Sequence, residues 1–163
     1  MIRIGHGFDA HRLVAGRPFV LGGVKIPFDR GPLGHSDGDA LTHAVADALL
    51  GACALGDLGS HFSDSDARWK DADSIGLLAA CVQLCRAAGY APANVDATVV
   101  VQEPRLAPHV ASMRARLAST LGLEVTAVSV KAKTTEGMGY TGDGSGIAAY
   151  AVATVTSTGE PGR

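Results

Sequence analysis

Residues 146 to 156 read Gly-Ile-Ala-Ala-Tyr-Ala-Val-Ala-Thr-Val-Thr, a nearly unbroken run of Ala, Val and Ile close to the end of the chain. Strand side chains alternate between faces, so a run apolar at both parities predicts a strand buried on both sides. In so small a domain another subunit can supply the cover for the second face. Upstream, 127 to 135 (Ala-Val-Ser-Val-Lys-Ala-Lys-Thr-Thr) alternates as a strand, and 94 to 102 is a Val/Thr strand closed by Glu103-Pro104. Between them Pro108 suits the first turn of a helix running to Leu121-Gly122.

Two further helices lie earlier. Residues 72 to 88 place Ile75, Leu78, Ala79 and Val82 at i, i+3, i+4 and i+7, with Asp71 and Asp73 at the start and Gly89 as the stop. Residues 38 to about 53 carry Leu41, Val45, Ala48 and Leu49 at helical spacing, with Ser36 and Asp37 as N-cap candidates. The chain begins with a strand over 2 to 12. Ile2, Ile4, His6 and Phe8 share one face of it, and Arg3, Gly5, Gly7, Asp9 and His11 the other. Phe19-Val20-Leu21 and Val24-Lys25-Ile26 flank Gly22-Gly23 as a hairpin, followed by a loop from Asp29 to Gly34.

The order β, ββ, α, α, β, α, β, β predicts an α/β fold in the loose, α+β-like sense. It is a single domain over 1 to 158 with a mixed sheet, helices mainly on one side and a hairpin near the N-terminus. Residues 159 to 163 read as a flexible tail.

Composition excludes several function classes. Fourteen Lys+Arg against sixteen Asp+Glu leave a net charge of −2, with no cationic excess to neutralise nucleic-acid phosphates. No apolar run approaches the roughly 20 residues that span a bilayer. Arg3, His6, Asp9 and His11 interrupt the place of a secretory h-region, so the expectation is a cytoplasmic protein. Three cysteines without a C-x-x-C spacing suggest neither a disulfide framework nor a cysteine zinc site, and Cys81 and Cys85 read as core residues. Glycine, 21 of 163 residues, stands well above ordinary usage, in keeping with many turns or with backbone close to a ligand.

Asp9 and His11 emerge on the same strand face, which Gly5 and Gly7 leave clear. An Asp oxygen and a His nitrogen suit zinc, a third ligand must come from elsewhere, and His43 on the first helix is the best candidate. The same D-x-H spacing also fits an exposed pair at a strand end. His35-Ser36-Asp37-Gly38-Asp39 leads into that helix, where free amides favour an anion and where capping is an equally good account. Residues 131 to 139 (Lys-Ala-Lys-Thr-Thr-Glu-Gly-Met-Gly) offer ammonium, hydroxyl and backbone donors for phosphate, with Glu136 able to hold a hard cation; an ordinary polar turn fits them as well. The glycine-bearing stretch from Gly56 to Asp66 is a candidate substrate loop. His6, His61 and His109 read as surface or structural residues.

Several of these segments together resemble one family. They are R-I-G-H-G-F-D-A-H (3 to 11), H-S-D-G-D-A-L-T-H-A-V-A-D-A-L-L-G-A (35 to 52), A-L-G-D-L-G (54 to 59), F-S-D-S-D (62 to 66), Q-E-P-R (102 to 105) and V-K-A-K-T-T-E-G-M-G-Y-T-G (130 to 142). Ordered and spaced this way, they resemble the 2-C-methyl-D-erythritol 2,4-cyclodiphosphate synthase family over nearly the whole chain. The resemblance implies a lyase of the non-mevalonate isoprenoid route. Such an enzyme converts 4-diphosphocytidyl-2-C-methyl-D-erythritol 2-phosphate to the cyclic diphosphate and CMP.

The resemblance further implies one Zn²⁺ on Asp9, His11 and His43, a Mg²⁺ or Mn²⁺ at Glu136 bridging substrate phosphates, and His35 and Thr134 as stabilisers of the transition state. It implies a homotrimer with active sites between subunits. One subunit would supply Asp9, Ala10, His11, His35 and Ser36 with Asp57, Leu58, Gly59, Phe62, Ser63, Asp64, Ser65 and Asp66. The next would supply a cytidine pocket of Val101, Gln102, Glu103, Pro104, Arg105, Leu106 and Ala107, and phosphate contacts from Lys133, Thr134, Thr135 and Glu136. Tyr140 and Asp143 complete the implied substrate surface. Asp143 and Ser145 stand where many members carry Arg and Glu, and Lys133 where hydroxyl residues are common. Two other readings use the same groups: a zinc-dependent nucleotide-diphosphate hydrolase, and a trimeric isoprenoid-diphosphate binding protein with a structural metal.

Overall fold

Strand β1 (Ile2–Ala15) forms antiparallel pairs on both sides, with β4 (Arg30–Leu33) and with β7 (Gly146–Ser157). Strand β5 (Tyr90–Val100) pairs antiparallel to β7 and parallel to β6 (Val128–Lys133), giving a mixed five-stranded sheet in the order β4-β1-β7-β5-β6. The computed structural model describes residues 1–63, 65–66, 69 and 72–159. Residues 160 to 163 of the expected tail lie outside the described residues.

The hairpin forms as expected. Strands β2 (Phe19–Leu21) and β3 (Val24–Ile26) pair from Phe19 to Ile26, and Gly22 and Gly23 take φ of 56° and 69°. Two consecutive left-handed residues match the right-handed twist of the flanking strands.

Helices α1 (Ala40–Ala52), α3 (Ser74–Ala87) and α4 (Val110–Leu121) cover one face of the sheet: α1 lies on β1 and β7, α3 on β5 and α1, α4 on β6. Their inward stripes meet Ile147, Ala149, Ala151, Ala153 and Val155 of β7, all fully buried. Left-handed Gly89 and Gly122 end α3 and α4. Cys53, Cys81 and Cys85 are free and buried in this layer, and burial pushes the Cys81 and Cys85 thiols up to about 12, suppressing thiolate.

The structure corrects three expectations. The Asp29–Gly34 loop contains the edge strand β4; Gly31 and Pro32 hide it from propensity, but β1 pairs with it, and a Cβ at Gly31 would stand 2.1 Å from the Pro18 carbonyl oxygen. Strand β5 starts at Tyr90 rather than 94, with a register shift between Pro92 and Asn94. The third helix opens as a 3₁₀ turn, Ala107–His109, before α4. On the second face of β7 Ala148 is buried, while Tyr150 and Val152 are 43% and 41% exposed beside exposed Ile4 and Phe8, the part that the sequence reading leaves for another subunit to cover.

The cap of α1 is also reassigned, from Ser36 or Asp37 to Asp39. Its fully buried carboxylate accepts from the amides of Gly22, Gly23 and Thr42 and from the Thr42 hydroxyl, at 2.7–3.0 Å. Asp39 thereby locks the hairpin turn to the start of α1. Asp39→Ala leaves four donors without an acceptor and is expected to cost about 3 kcal/mol or more, read as a lower urea midpoint.

Candidate functional site

Asp9 and His11 sit on the α1-facing side of β1, where Gly5 and Gly7 let the helix backbone settle directly on the strand. A Cβ at Gly7 would lie 1.9 Å from the Ala44 carbonyl oxygen, and one at Gly5 1.9 Å from that of Ala48. This contact lowers His43, in the first turns of α1, onto the two strand residues. Asp9 Oδ2 is 2.8 Å from both His11 Nε2 and His43 Nδ1, and the two nitrogens are 3.4 Å apart.

The three form the one group of three or more ligating side chains among the described residues close enough to hold a metal ion. Leu33 of β4 accepts from His11 Nδ1 at 3.0 Å, which turns Nε2 towards the cluster. The missed edge strand therefore orients one of the three groups.

Electrostatics follow from this geometry. Burial opposes charge on Asp9, but hydrogen bonds and charge from His11 and His43 outweigh it and hold the carboxyl at about 2. Burial likewise opposes protonation of His43, yet the Asp9 hydrogen bond and the charges of Asp9, Asp39 and Asp37 raise its pKa.

A cleft of about 400 Å³ opens over the cluster and brings together the expected Asp9, His11, His35, Ser36, His43, Leu58, Gly59 and Phe62. His35 Nε2 is buried in the protein without a hydrogen-bond partner. Asp47, Trp69 and Leu77 also line the cleft and were not expected. Asp47 stands one helical turn after His43, a spacing that could have disclosed it; Trp69 and Leu77 arrive by tertiary packing and leave no local signal. Burial raises the Asp47 carboxyl, opposed by the Leu58 amide that donates to it at 2.7 Å.

The remaining loop residues make turns. Asp57 caps the short helix α2 (Leu58–His61), with the Ser60 amide and hydroxyl donating to it. Ser63 and Ser65 bond through their hydroxyls, and the Asp66 amide donates to the Ser63 carbonyl. Asp64 lies outside the described residues. His61 is exposed and bonds the Leu55 carbonyl, as a structural histidine would.

A second cleft of about 420 Å³ is lined by Val101, Gln102, Glu103, Pro104, Arg105, Leu106 and Ala107 with Ala132, Lys133 and Thr134. Among the described residues it shares no lining residue with the first. Both open at one end of the sheet, because Ala10, Ala148, Val100 and Lys133 stand in one row of the ladder, but two strands separate β1 from β6.

Thr135 donates to the Met138 carbonyl and contacts Thr141, and Glu136 is exposed in a left-handed conformation with φ of 52°. Glu136 joins no group of three ligating side chains among the described residues. Tyr140, in the short helix α5 (Gly139–Gly142), lines a third hollow with Ala10, His11 and Arg12, and Asp143 accepts from the Ser145 amide.

Comparison with known proteins gives this geometry a family. A curated 2-C-methyl-D-erythritol 2,4-cyclodiphosphate synthase from Salinibacter ruber is 60% identical over 156 residues, 96% of this chain and 99% of that protein. A solved structure of a 2C-methyl-D-erythritol-2,4-cyclodiphosphate synthase in a CDP-bound form superposes with a TM-score of 0.87 at 38% identity, covering 94% of this chain and 100% of that one. The bifunctional IspDF from Campylobacter jejuni gives 0.93 at 38% identity, covering 96% of this chain and 42% of that longer one. Residues 2–156 match the YgbB family, and the chain belongs to it.

Proposed function

We propose that the protein is a cytoplasmic 2-C-methyl-D-erythritol 2,4-cyclodiphosphate synthase, active as a homotrimer. It closes 4-diphosphocytidyl-2-C-methyl-D-erythritol 2-phosphate to the cyclic diphosphate and releases CMP. The convergence of Asp9, His11 and His43 over a cleft, in a chain of this family, carries the reading.

The donor set fits zinc. With Zn–N bonds of about 2.0–2.1 Å a tetrahedral site needs neighbouring ligand atoms about 3.3–3.4 Å apart; the two nitrogens stand at 3.4 Å, and Asp9 Oδ2, at the hydrogen-bond distance of 2.8 Å from each, would have to move out by about 0.5 Å for all three to hold one ion. When bound there, Zn²⁺ supplies Lewis-acid polarisation of a β-phosphate oxygen. Glu136 is the residue that would hold a Mg²⁺ or Mn²⁺, which would offset the charge of the substrate phosphates.

The chain's own residues position a polyanion that must bend back on itself. The 2-phosphate oxygen forms the new bond to the β-phosphorus while the bond to the CMP oxygen breaks, so no enzyme nucleophile is required. His35, with its partnerless Nε2, donates to charge developing at the phosphates, and Thr134 does so from the second cleft. The Lys133 ammonium adds a phosphate contact, and residues 101 to 107 hold the cytidine. Because the two clefts are separate within the chain, the complete site is assembled from neighbouring subunits. The exposed apolar sheet face of Ile2, Ile4, Phe8, Tyr150 and Val152 is the surface that trimer formation would bury.

Phosphorus NMR of the protein with this substrate and Mg²⁺ tests the reading: cyclic diphosphate and CMP appear together. Incorporation of labelled oxygen from water into a product phosphate would instead identify a hydrolase.

Metal affinity should depend on pH through His43. Below its raised pKa the ring holds a proton that the metal must displace, whereas Asp9, titrating at about 2, is already charged. Apparent zinc affinity is therefore expected to fall about tenfold per unit as pH drops below the His43 pKa and to level off above it, as read by chelator competition.

A further inference from the structure

His43 meets its two neighbours through different ring nitrogens. Nδ1 faces Asp9, while Nε2 lies 2.8 Å from the hydroxyl of Ser74, the first residue of α3. That hydroxyl donates its proton to Asp37, and the Ser74 amide donates to the other Asp37 oxygen at 3.0 Å. The Ser36 hydroxyl approaches the same Nε2 at 3.1 Å. Ser74 is 1% exposed, so water does not compete for these bonds.

A serine hydroxyl has one proton and two lone pairs. With the proton given to Asp37, Ser74 can only accept from the ring, so Nε2 carries a hydrogen; the Nδ1 proton, which bonds the Asp9 carboxylate, is then the one zinc would displace, leaving the Nδ1 lone pair for the metal. We infer that Ser74 and Asp37 are positioning residues that fix the tautomer and orientation of His43 for zinc. A hydrogen-bonded carboxylate behind the serine makes the ring a stronger donor to metal, as acidic partners of ligating histidines do. This relay rests on the reading of Asp9, His11 and His43 as zinc ligands. It also explains why Asp37 is not the cap of α1: its carboxylate, 37 residues away in sequence from Ser74, ties α3 to the loop before α1.

The test measures zinc affinity of the purified full chain by competition with a chromophoric chelator, without substrate. Ser74→Ala is expected to weaken zinc about 10- to 100-fold, and Ser74→Thr, which keeps the hydroxyl, to restore most of the loss. Asp37→Asn should weaken it less than Ser74→Ala, since the serine acceptor remains. Nitrogen-15 NMR of the zinc-loaded wild type should show His43 with its proton on Nε2 and in slow exchange with water. An unchanged affinity in Ser74→Ala overturns the inference. So does a wild-type spectrum with zinc on Nε2 or a freely exchanging Nε2 proton, which decides the matter even if the variant fails to fold. Because these readouts need no turnover, a protein that binds zinc in this way yet forms no cyclic product refutes the proposed reaction and leaves the relay standing.

Discussion

His43→Ala is expected to release the metal and to lower CMP formation by about three orders of magnitude. The variant leaves only Asp9 and His11, 2.8 Å apart, where a tetrahedral catalytic site needs three protein ligands. Lewis-acid stabilisation is worth several kcal/mol, and each 1.36 kcal/mol off the barrier is tenfold in rate, so losing about 4 kcal/mol gives about 10³. Metal content of the dialysed protein and phosphorus NMR of product formation check the two halves. His35→Ala provides the contrast: it should keep its metal and lose about 10²- to 10³-fold in rate, the effect of removing one donor to developing charge. Equal metal content in His43→Ala and wild type would refute the ligand assignment.

The second large effect is structural and begins with an atom that is absent. In Gly7→Ala the new Cβ would meet the Ala44 carbonyl oxygen at 1.9 Å and the Ala48 amide at 2.8 Å. Both belong to the α1 backbone, which cannot rotate aside as a side chain can. The helix must lift, at a cost of about 3 kcal/mol or more, at the upper end of overpacking penalties. His43 lifts with it, so zinc affinity should fall together with the urea midpoint. Gly76→Ala is the control: Gly76 is exposed in α3 with nothing near a new Cβ, and the change is expected to stabilise by about 0.5–1 kcal/mol. A Gly7→Ala variant as stable as wild type would show that the helix and strand are not in backbone contact.

These two residues illustrate what could be read in advance. Asp9, His11 and the clearing glycines share a strand face by simple alternation, and His43 was the natural third ligand once a helix was placed over 38 to 53. The Gly22-Gly23 hairpin and the glycine stops at Gly89 and Gly122 were legible because left-handed backbone is a local requirement. Strand β4 was not legible, since Gly31-Pro32 carries no strand propensity and pairs only because β1 lies beside it. Nor could residue type choose between Asp37 and Asp39 as the helix cap. That choice was made by the Gly22 and Gly23 amides on one side and Ser74 on the other.

Sequence alone determined the main strands and helices, their order and the shared face of Asp9 and His11, because alternation, helical spacing and turn glycines act over a few residues. Tertiary structure alone decided that the glycine-bearing face of β1, not the Ile2, Ile4 and Phe8 face, receives α1. It also decided that residues 101 to 107 line a cleft separate from the Asp9, His11 and His43 cluster, and that Ser74 stands behind His43. Those outcomes depend on close approach between segments distant along the chain, where the fit of backbones and the pairing of buried polar atoms govern, and no local pattern encodes either.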